Sequence, residues 1–277
     1  MKKSLLLIFL AALAYVASAQ EEAVTTSGKK VILYPDGTWK VAAADVPATV
    51  KIPQLELPKI NPTDQIIEHT GFTLCYDPKY KQARWVAYEL TESETNPEVE
   101  RNNAFKPDPL VKSGSAENSD YLKSGYDKGH LAPAADMSWS EQTMLESFYF
   151  SNISPQKPGF NRGIWKKLEE KTRLWAIENQ ALYVVTAGVL EKGLPTIGAD
   201  KVAVPRYFYK VILDYTGPDV KGIGFILENE SSDDLLQYHA VTIDSVEKVT
   251  NIDFFNKLPD NLEKNVESHV NISEWTW

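Results

Sequence analysis

The sequence has only one cysteine, Cys75, and four histidines among its 277 residues. A single cysteine excludes an internal disulfide, and the strand-like stretch "FTLCYD" around it predicts a small, buried hydrophobic side chain. Clusters of Cys and His, the usual ligands of zinc, are also lacking. The sequence therefore argues against a zinc site.

Long apolar runs are scarce as well. One run, from residue 5 to 16, follows Lys2 and Lys3 and precedes Ala-Ser-Ala, which is the pattern of a secretory signal. We predict a signal peptide over residues 1–19 and a secreted or periplasmic protein. An uncleaved membrane anchor is the alternative, but the run is shorter than the roughly 20 residues of a spanning helix. No second stretch could span a membrane, so we expect no stable membrane association.

Basic residues are too few to balance the acidic ones. The chain has 29 Lys and Arg against 38 Asp and Glu, a formal net charge of −9. Cleavage after residue 19 would remove two lysines and no acids, which leaves 27 minus 38, or −11. A general basic surface that coats nucleic acid is therefore excluded. A polyanionic substrate would need a local positive site, for example a metal ion.

The chain divides by composition into three parts. Residues 29–41, "KKVILYPDGTWKV", have the pattern of a β-hairpin around Pro-Asp-Gly. Residues 42–63 carry four prolines without periodicity and predict an extended linker. We therefore expect a signal peptide at 1–19, the hairpin and linker at 20–60, and one large domain at 61–277.

The large domain mixes strand and helix patterns. Apolar or alternating runs predict strands at 85–91, at the end of 146–153, and at 181–190, 207–215 and 220–229. Helices are predicted at 139–147 with a capping box of Ser138 and Glu141, at 161–180, and as a last short helix at 245–255. The fold class is α+β, with a central, largely antiparallel sheet flanked by helices.

The stretch "SGYDKGHLAPAADM" (124–137) concentrates polar chemistry around one histidine, His130. A lone histidine is more often structural than catalytic, but its neighbours favour catalysis. Gly129 allows a sharp backbone bend, Asp127 could orient the imidazole, and Lys128 adds positive charge.

The predicted helix at 161–180 places Asn161, Glu169 and Arg173 on one side, at about 100° per residue. Apolar residues on a neighbouring arc would face the core: Ile164, Leu168 and Trp175. The alternative is a solvated face with an incidental Glu169–Arg173 pair. Amide and carboxylate oxygens suit a hard cation such as Mg²⁺, and a nearby histidine could deprotonate a water. Together these are the parts of a metal-assisted phosphodiester hydrolysis.

Several motifs together resemble the DNA/RNA non-specific endonucleases, the endonuclease G-like group of ββα-metal nucleases. The family signature Asp-Arg-Gly-His-(Leu/Gln)-Ala-Pro with a following Asp stands here as "DKGHLAPAAD" (127–136). The resemblance continues through "SNISPQ" (151–156) and "FNRGIWKKLE" (160–169), and covers roughly residues 65–258. It implies a ββα-metal fold and a metal-dependent endonuclease that acts on DNA and RNA.

The resemblance also implies roles for individual residues. His130 would be the general base that activates water, Asn161 would be the direct ligand of Mg²⁺ or Mn²⁺, and Glu169 would hold a water of that ion. Arg101 and Arg173 would bind the phosphate. These roles describe a single-metal hydrolytic site.

Two further positions follow from the resemblance. Asn152 would support the metal and histidine side of the site. Lys128 stands where the family usually has arginine, and lysine keeps the charge but loses the bidentate fork. The substitution bears on rate and substrate preference more than on the type of reaction.

Two other functions fit the sequence. One is a nucleic-acid-binding or inhibitor-like protein on a nuclease fold, although His130, Asn161, Glu169 and Arg101 are all present. The other is a phosphodiesterase for a different exported polyanion. The sequence also leaves open the preference between DNA and RNA and the oligomeric state, a homodimer included.

Overall fold

The computed structural model describes residues 21–24, 30–33, 39–41, 51–217 and 219–277. The chain separates into two compact units, Met1–Val46 and Pro47–Trp277, which are described separately below. The segment predicted to be a signal peptide, residues 1–19, lies outside the described residues. The assignment of residues 61–277 as one domain remains a prediction.

The first unit contains three short strands, β1 (Glu21–Val24), β2 (Lys30–Leu33) and β3 (Trp39–Val41). They form an antiparallel sheet in which β2 is the central strand. The two arms of the predicted hairpin at 29–41 are thus paired as β2 and β3, while the residues of its turn lie outside the described ones.

The second half of the predicted linker is not extended chain. Leu55 and Leu57 are buried in the main hydrophobic core of the second unit. Lys59 Nζ lies 3.0 Å from a carboxylate oxygen of Asp253, and the backbone N–H of Lys59 donates to the carbonyl of Asp253. The proline content suggested a linker, but the leucines between the prolines bury apolar area against the domain. Residues 42–50 lie outside the described part.

The second unit is built on a seven-stranded sheet in the order β14-β13-β12-β9-β6-β5-β4. All of its neighbouring strands run antiparallel. Its members are β4 (Gln65–Glu68), β5 (Thr73–Asp77), β6 (Gln82–Thr91), β9 (Ala181–Gly188), β12 (Tyr207–Asp214), β13 (Lys221–Glu228) and β14 (Ala240–Val241). The predicted antiparallel sheet and its strands at 85–91, 181–190, 207–215 and 220–229 are confirmed.

Two smaller antiparallel pairs complete the strands. They are β7 (Asp127–His130) with β8 (Ile153–Gln156), and β10 (Thr196–Ile197) with β11 (Val202–Ala203). The central strands β9 and β12 are buried along almost their whole length, which explains their nearly continuous apolar sequence. Cys75 on β5 is buried, as predicted.

The described helices are α1 (Asn118–Tyr121), α2 (Glu141–Ser147), α3 (Pro158–Phe160), α4 (Lys166–Asn179), α5 (Ile243–Thr250) and α6 (Asp260–Ser268). Short 3₁₀ turns occur at Ser93–Thr95, Phe150–Asn152, Leu236–His239 and Ile272–Glu274. Helix α4 packs on β9 and β6, and α5 and α6 pack on β13. No helix in the described ranges is long and apolar enough to cross a lipid bilayer.

Helix boundaries differ from the sequence predictions in three places. The cap of α2 is Ser140, whose Oγ accepts from the N–H of Thr143, whereas the Ser138 hydroxyl donates to the carbonyl of Ala135. The helix predicted at 245–255 ends at Asn251, which has a left-handed φ of 55°. A further helix, α6, follows it and was not predicted.

The predicted continuous helix at 161–180 is interrupted. A π-helical turn covers Asn161–Trp165, and Gly163 inside it has non-helical angles (φ −104°, ψ −114°). Regular α-helix begins only at Lys166. The angle predicted between Asn161 and the residues of α4 is therefore wrong, because it assumed 100° per residue across this turn. Ile164, Leu168 and Trp175 do face the core, as expected.

Candidate active site

Strands β7 and β8 form the scaffold on which His130 lies. Gly129 is opposite Ser154 in this pair, and His130 is opposite Ile153. A Cβ atom on Gly129 would lie 2.1 Å from the buried side chain of Gln156, so a larger residue would have to displace that side chain. Gly129 therefore makes room for Gln156, and it lies within β7 and not at the sharp bend predicted from the sequence.

His130 ends β7 with its side chain in an aromatic pocket. The residue is only 7% exposed, and its ring meets Phe148 edge-on at 4.7 Å and Phe105 at 5.6 Å between centroids. Its Nε2 is buried and has no hydrogen-bond partner among the described residues. Burial, with a smaller contribution from Arg101, lowers the pKa of His130 to about 3. The imidazole is therefore neutral at physiological pH, and one of its nitrogens is free.

Asn152 fixes the chain that follows His130. Its Oδ1 accepts from the N–H of Ala132, and its Nδ2 donates to the carbonyls of Ala132 and Ser147, each at 2.9 Å. The N–H of Leu131 donates to the carbonyl of Asn152. Because the fully buried amide is used in these backbone bonds, Asn152 can act on the site only by holding His130 in place.

Asp127 does not orient the imidazole as the sequence suggested. Its carboxylate accepts from Nδ2 of Asn161 at 2.9 Å and from two nitrogens of Arg162 at 2.7 and 2.8 Å. Asp127 and His130 are three residues apart on a strand, so their side chains point to opposite faces. Burial opposes ionisation, but the bonds from Arg162 and Asn161 outweigh it and lower the pKa of Asp127.

Helix α4 contributes Glu169 and Arg173. Arg173 pairs with Asp136, from Nη1 to Oδ1 at 2.7 Å, and the Tyr88 hydroxyl donates to the other oxygen of Asp136 at 2.8 Å. The sequence suggested an i, i+4 pair between Glu169 and Arg173. In the structure, Arg173 pairs instead with Asp136, which is 37 positions away in the chain. Burial raises the pKa of Glu169 to about 7, a rise that Lys210 opposes and Asp136 reinforces.

Lys210 is a site residue that sequence analysis missed. It lies on β12, is fully buried, and has its Nζ 5.0 Å from the ring centre of Trp165. Burial lowers the pKa of Lys210, and the charge of Glu169 raises it again. The available signal was a lysine inside the apolar strand "YFYKVILD", since a buried lysine needs an acidic neighbour.

Arg101 and Lys128 approach the histidine pocket from its aromatic walls. The guanidinium carbon of Arg101 lies 5.1 Å from the ring centre of Phe148, and Nζ of Lys128 lies 4.2 Å from that of Phe105. Burial lowers the pKa of Arg101, and the charge of Glu169 opposes this shift. Lys128 also donates to Oδ1 of Asn118 at 2.9 Å. The two cations therefore contact the same two rings as His130.

The structure places five of the predicted site residues in two groups. Arg101, Lys128 and His130 share the aromatic pocket, and Glu169 and Arg173 share the charged centre around Asp136 and Lys210. The other two are bonded elsewhere, Asn161 to the side chain of Asp127 and Asn152 to the backbone of Ala132 and Ser147. The charges of Arg101 and Glu169 influence each other, which connects the first group with the second.

A second histidine, His69, has a buried side chain and lies in a polar network. Its Nε2 is 3.0 Å from Oδ2 of Asp108, and its Nδ1 is 3.8 Å from Oε1 of Glu146. Asp108 also accepts from the hydroxyl of Ser151 and from the N–H of Leu110. Burial would raise the pKa of Asp108, but the bonds from His69 and Ser151 lower it.

Comparison with known proteins identifies what this chain resembles. A model of the family described as DNA/RNA non-specific endonuclease matches residues 54–261. Nuclease EXOG, mitochondrial, of Danio rerio is 37% identical over 207 residues, 69% of this chain and 60% of that protein. Endonuclease G, mitochondrial, of Homo sapiens is 33% identical over 205 residues, 69% of each chain. Nuclease C1 of Cunninghamella echinulata var. echinulata is 36% identical over 212 residues, 69% of this chain and 83% of that protein.

A solved structure agrees with these relatives. The crystal structure of the EndoG/EndoGI complex, which concerns EndoG inhibition, matches 74% of this chain and 90% of that chain at 29% identity, with a TM-score of 0.68. The family resemblance and the ββα-metal fold predicted from the sequence are confirmed. The chain spans about 60% of the length of the Danio rerio relative.

The predicted secreted or periplasmic location is wrong by the same comparison. The relatives from Danio rerio, Bos taurus, Homo sapiens and Mus musculus are named mitochondrial nucleases. The prediction depended only on the composition of residues 1–19, which lie outside the described residues and outside the matched residues 54–261.

Proposed function

Because this chain belongs to the DNA/RNA non-specific endonuclease family, we propose that it hydrolyses phosphodiester bonds within DNA and RNA with a Mg²⁺-type ion. The observation that carries the proposal is Nε2 of His130, which is buried and has no partner among the described residues. A neutral imidazole with one free nitrogen, beside an arginine, is what a general base for phosphate chemistry needs.

His130 would take the proton from the attacking water at Nε2. Its pKa of about 3 makes it a weak base in the free protein. A phosphate bound next to Arg101 would bring negative charge to the pocket and would partly neutralise the arginine. Both changes favour the imidazolium and raise the pKa of His130 when substrate is bound.

Arg101 would bind the phosphate oxygens. The residue as a whole is open to solvent, whereas its guanidinium is partly desolvated over Phe148, the ring that His130 meets edge-on. Arg173 has one nitrogen committed to Asp136, and its remaining N–H groups can stabilise charge on the phosphate. Lys128 adds positive charge on the side of Phe105.

The residues of the site fit a hard cation. Nδ2 of Asn161 donates to the Asp127 carboxylate, which can only accept, so the amide orientation is fixed and Oδ1 is the atom left for an ion. Glu169 offers carboxylate oxygens from α4. When bound, Mg²⁺ or Mn²⁺ would polarise the scissile phosphate and stabilise charge on the leaving 3′ oxygen.

The proposal is tested with purified protein on supercoiled plasmid DNA and on single-stranded RNA. We expect both to be cleaved in Mg²⁺ and neither to be cleaved in EDTA. Binding without cleavage would instead support a nucleic-acid-binding protein on a nuclease fold.

Asn161→Ala refines this test. The substitution should raise the Mg²⁺ concentration that gives the half-maximal rate. The control is Asn96→Ala, which should leave that concentration unchanged, because the exposed side-chain amide of Asn96 donates, among the described residues, only to the carbonyl of Ser93. Equal Mg²⁺ midpoints for both variants would remove Asn161 from the metal site.

A further inference from the structure

Three carboxylates from two helices converge at the C-terminal part of the second unit. One oxygen from each of Asp244, Glu247 and Glu267 lies within 4.8 Å of the others. Asp244 and Glu247 are one turn apart on α5, and Glu267 is on α6. Both helices rest on Gly222 of β13, where a Cβ atom would come within 2.8 Å of Ile243 and Val266. The sheet therefore brings these acids together by packing the apolar sides of α5 and α6.

Glu267 lacks the partner that a buried acid needs. The residue is 5% exposed, and its Oε1 is buried with no hydrogen-bond partner among the described residues. An unpaired buried carboxylate carries a large desolvation cost if ionised. Such groups are usually paired with a cation or coordinate a metal. The orphan oxygen belongs to a side chain that converges with two other acids, so a cation bound among the three would give it a partner.

Nearby protein charges make the need for a cation greater. Asp253 and Glu263 add two more acids to the neighbourhood of Glu267. Among the described residues, the one cation that forms an ion pair with any of these five acids is Lys59. Its partner is Asp253, and both side chains are exposed.

Glu247 is already held in position for a ligand. Its Oε1 accepts from the N–H of Phe254 at 2.7 Å, which fixes the carboxylate and leaves Oε2 available. The bond comes from the backbone of the segment between α5 and α6, so the position of this one carboxylate does not depend on its flexible side chain alone. A preorganised acid of this kind binds an ion with a smaller entropic cost.

We propose that α5 and α6 hold a Ca²⁺ ion between Asp244, Glu247 and Glu267, at a structural site separate from the nuclease centre. Ca²⁺ binds six to eight oxygens at about 2.3–2.6 Å, so oxygens up to about 5 Å apart can share one ion. Three carboxylates suit Ca²⁺ better than Mg²⁺, which keeps more of its waters and takes few carboxylates. The absence of Cys and His from this cluster argues against zinc.

The bound ion would join the two C-terminal helices. It would neutralise the repulsion between α5 and α6 and so fix both on β13. The expected consequence is stability that depends on Ca²⁺, since an ion that binds only the folded state shifts the unfolding equilibrium.

The test measures Ca²⁺ binding and thermal unfolding of the full chain. It uses the Asn161→Ala background, so that the ion of the proposed nuclease site does not contribute. We expect one bound Ca²⁺ by calorimetry and a melting temperature that rises by roughly 5–10 °C from EDTA to a Ca²⁺ concentration about 100-fold above Kd. Glu267→Gln in the same background should lose both the binding and the rise.

The matched control is Asp233→Asn, an exposed acid outside the cluster, which should keep both. A folded Glu267→Gln protein that still binds one Ca²⁺ with the same rise would overturn the proposal, as would a parent protein with no Ca²⁺ dependence. Asp244→Asn, a second variant at the exposed member of the cluster, should likewise weaken Ca²⁺ binding and reduce the rise in melting temperature. These readouts do not depend on cleavage, so a failure here is distinguishable from a failure of the proposed nuclease activity.

Discussion

His130 and His69 are both buried among aromatic rings, yet they differ in their partners. His69 has both ring nitrogens close to carboxylates, those of Asp108 and Glu146. His130 has its Nε2 buried without a partner in the described part of the chain. Burial alone is therefore uninformative about function, whereas burial without a partner leaves a nitrogen available for chemistry.

The two histidines also differ in what surrounds them. Acids and hydroxyls surround His69, and Asp108 is bonded by both His69 and Ser151. The wall around His130 is formed by Phe105 and Phe148, and the charge that acts on it is that of Arg101. The first arrangement stabilises the fold, and the second would receive the phosphate in the function proposed above.

The largest expected effect is on cleavage by His130→Ala. Removing a positioned general base should lower kcat about 10²- to 10⁴-fold. His69→Ala is the matched truncation and should keep kcat near the wild-type value in the folded fraction. Plasmid nicking beside a thermal melt measures both variants. Comparable losses in the two folded proteins would erase the distinction between the histidines.

The next effect is on stability at acid pH. The folded-state pKa of His130, about 3, lies below its ordinary value of 6.5, so the unfolded chain takes up a proton first. The contribution of the neutral His130 side chain to the free energy of unfolding is complete above pH 6.5. It is lost as the pH falls toward 3, by up to about 1.4 kcal/mol per pH unit. Urea unfolding at pH 7, 5.5 and 4 should show a steeper loss for wild type than for His130→Ala. Parallel losses would mean that His130 is protonated in the folded protein.

A smaller effect is expected on stability at neutral pH. Both alanine variants lose a buried ring, but only His69→Ala leaves the buried Asp108 carboxylate short of a partner. We expect His69→Ala to be less stable than His130→Ala by about 1–3 kcal/mol, the cost of an unsatisfied buried group. The difference between the two urea unfolding free energies measures this directly. A difference near zero would show that the network around His69 contributes little.

The smallest effect concerns Lys128, which shares the Phe105 wall with His130. Lys128→Arg should retain kcat/KM on duplex DNA. Lys128→Ala should lower it about tenfold, or about 1.4 kcal/mol, because Nζ is partly committed to Asn118. If the loss persists at high salt, Lys128 contacts phosphate directly; if it fades, Lys128 acts through its field. If Lys128→Ala has wild-type activity at every salt concentration, Lys128 neither contacts the phosphate nor acts on it through its charge.

Much of the site was predictable from sequence because its residues lie in two short motifs. Residues 127–136 and 160–169 supply His130, Asn161 and Glu169, and the structure places these motifs on β7 and on the π-helical turn with α4. Their partners were not predictable. Asp127 was expected at the imidazole and binds Asn161 instead, because strand alternation sends its side chain to the other face.

The sequence by itself determined the α+β class, the central antiparallel strands and the family signature around His130, because periodicity and local motifs are properties of neighbouring residues. The tertiary structure alone decided which polar groups meet. His69 and Asp108 are 39 positions apart, and Lys210 on β12 interacts with the charge of Glu169 on α4. Such pairings depend on strand register and helix packing across the whole domain, and these fix which buried histidine is satisfied and which is left free.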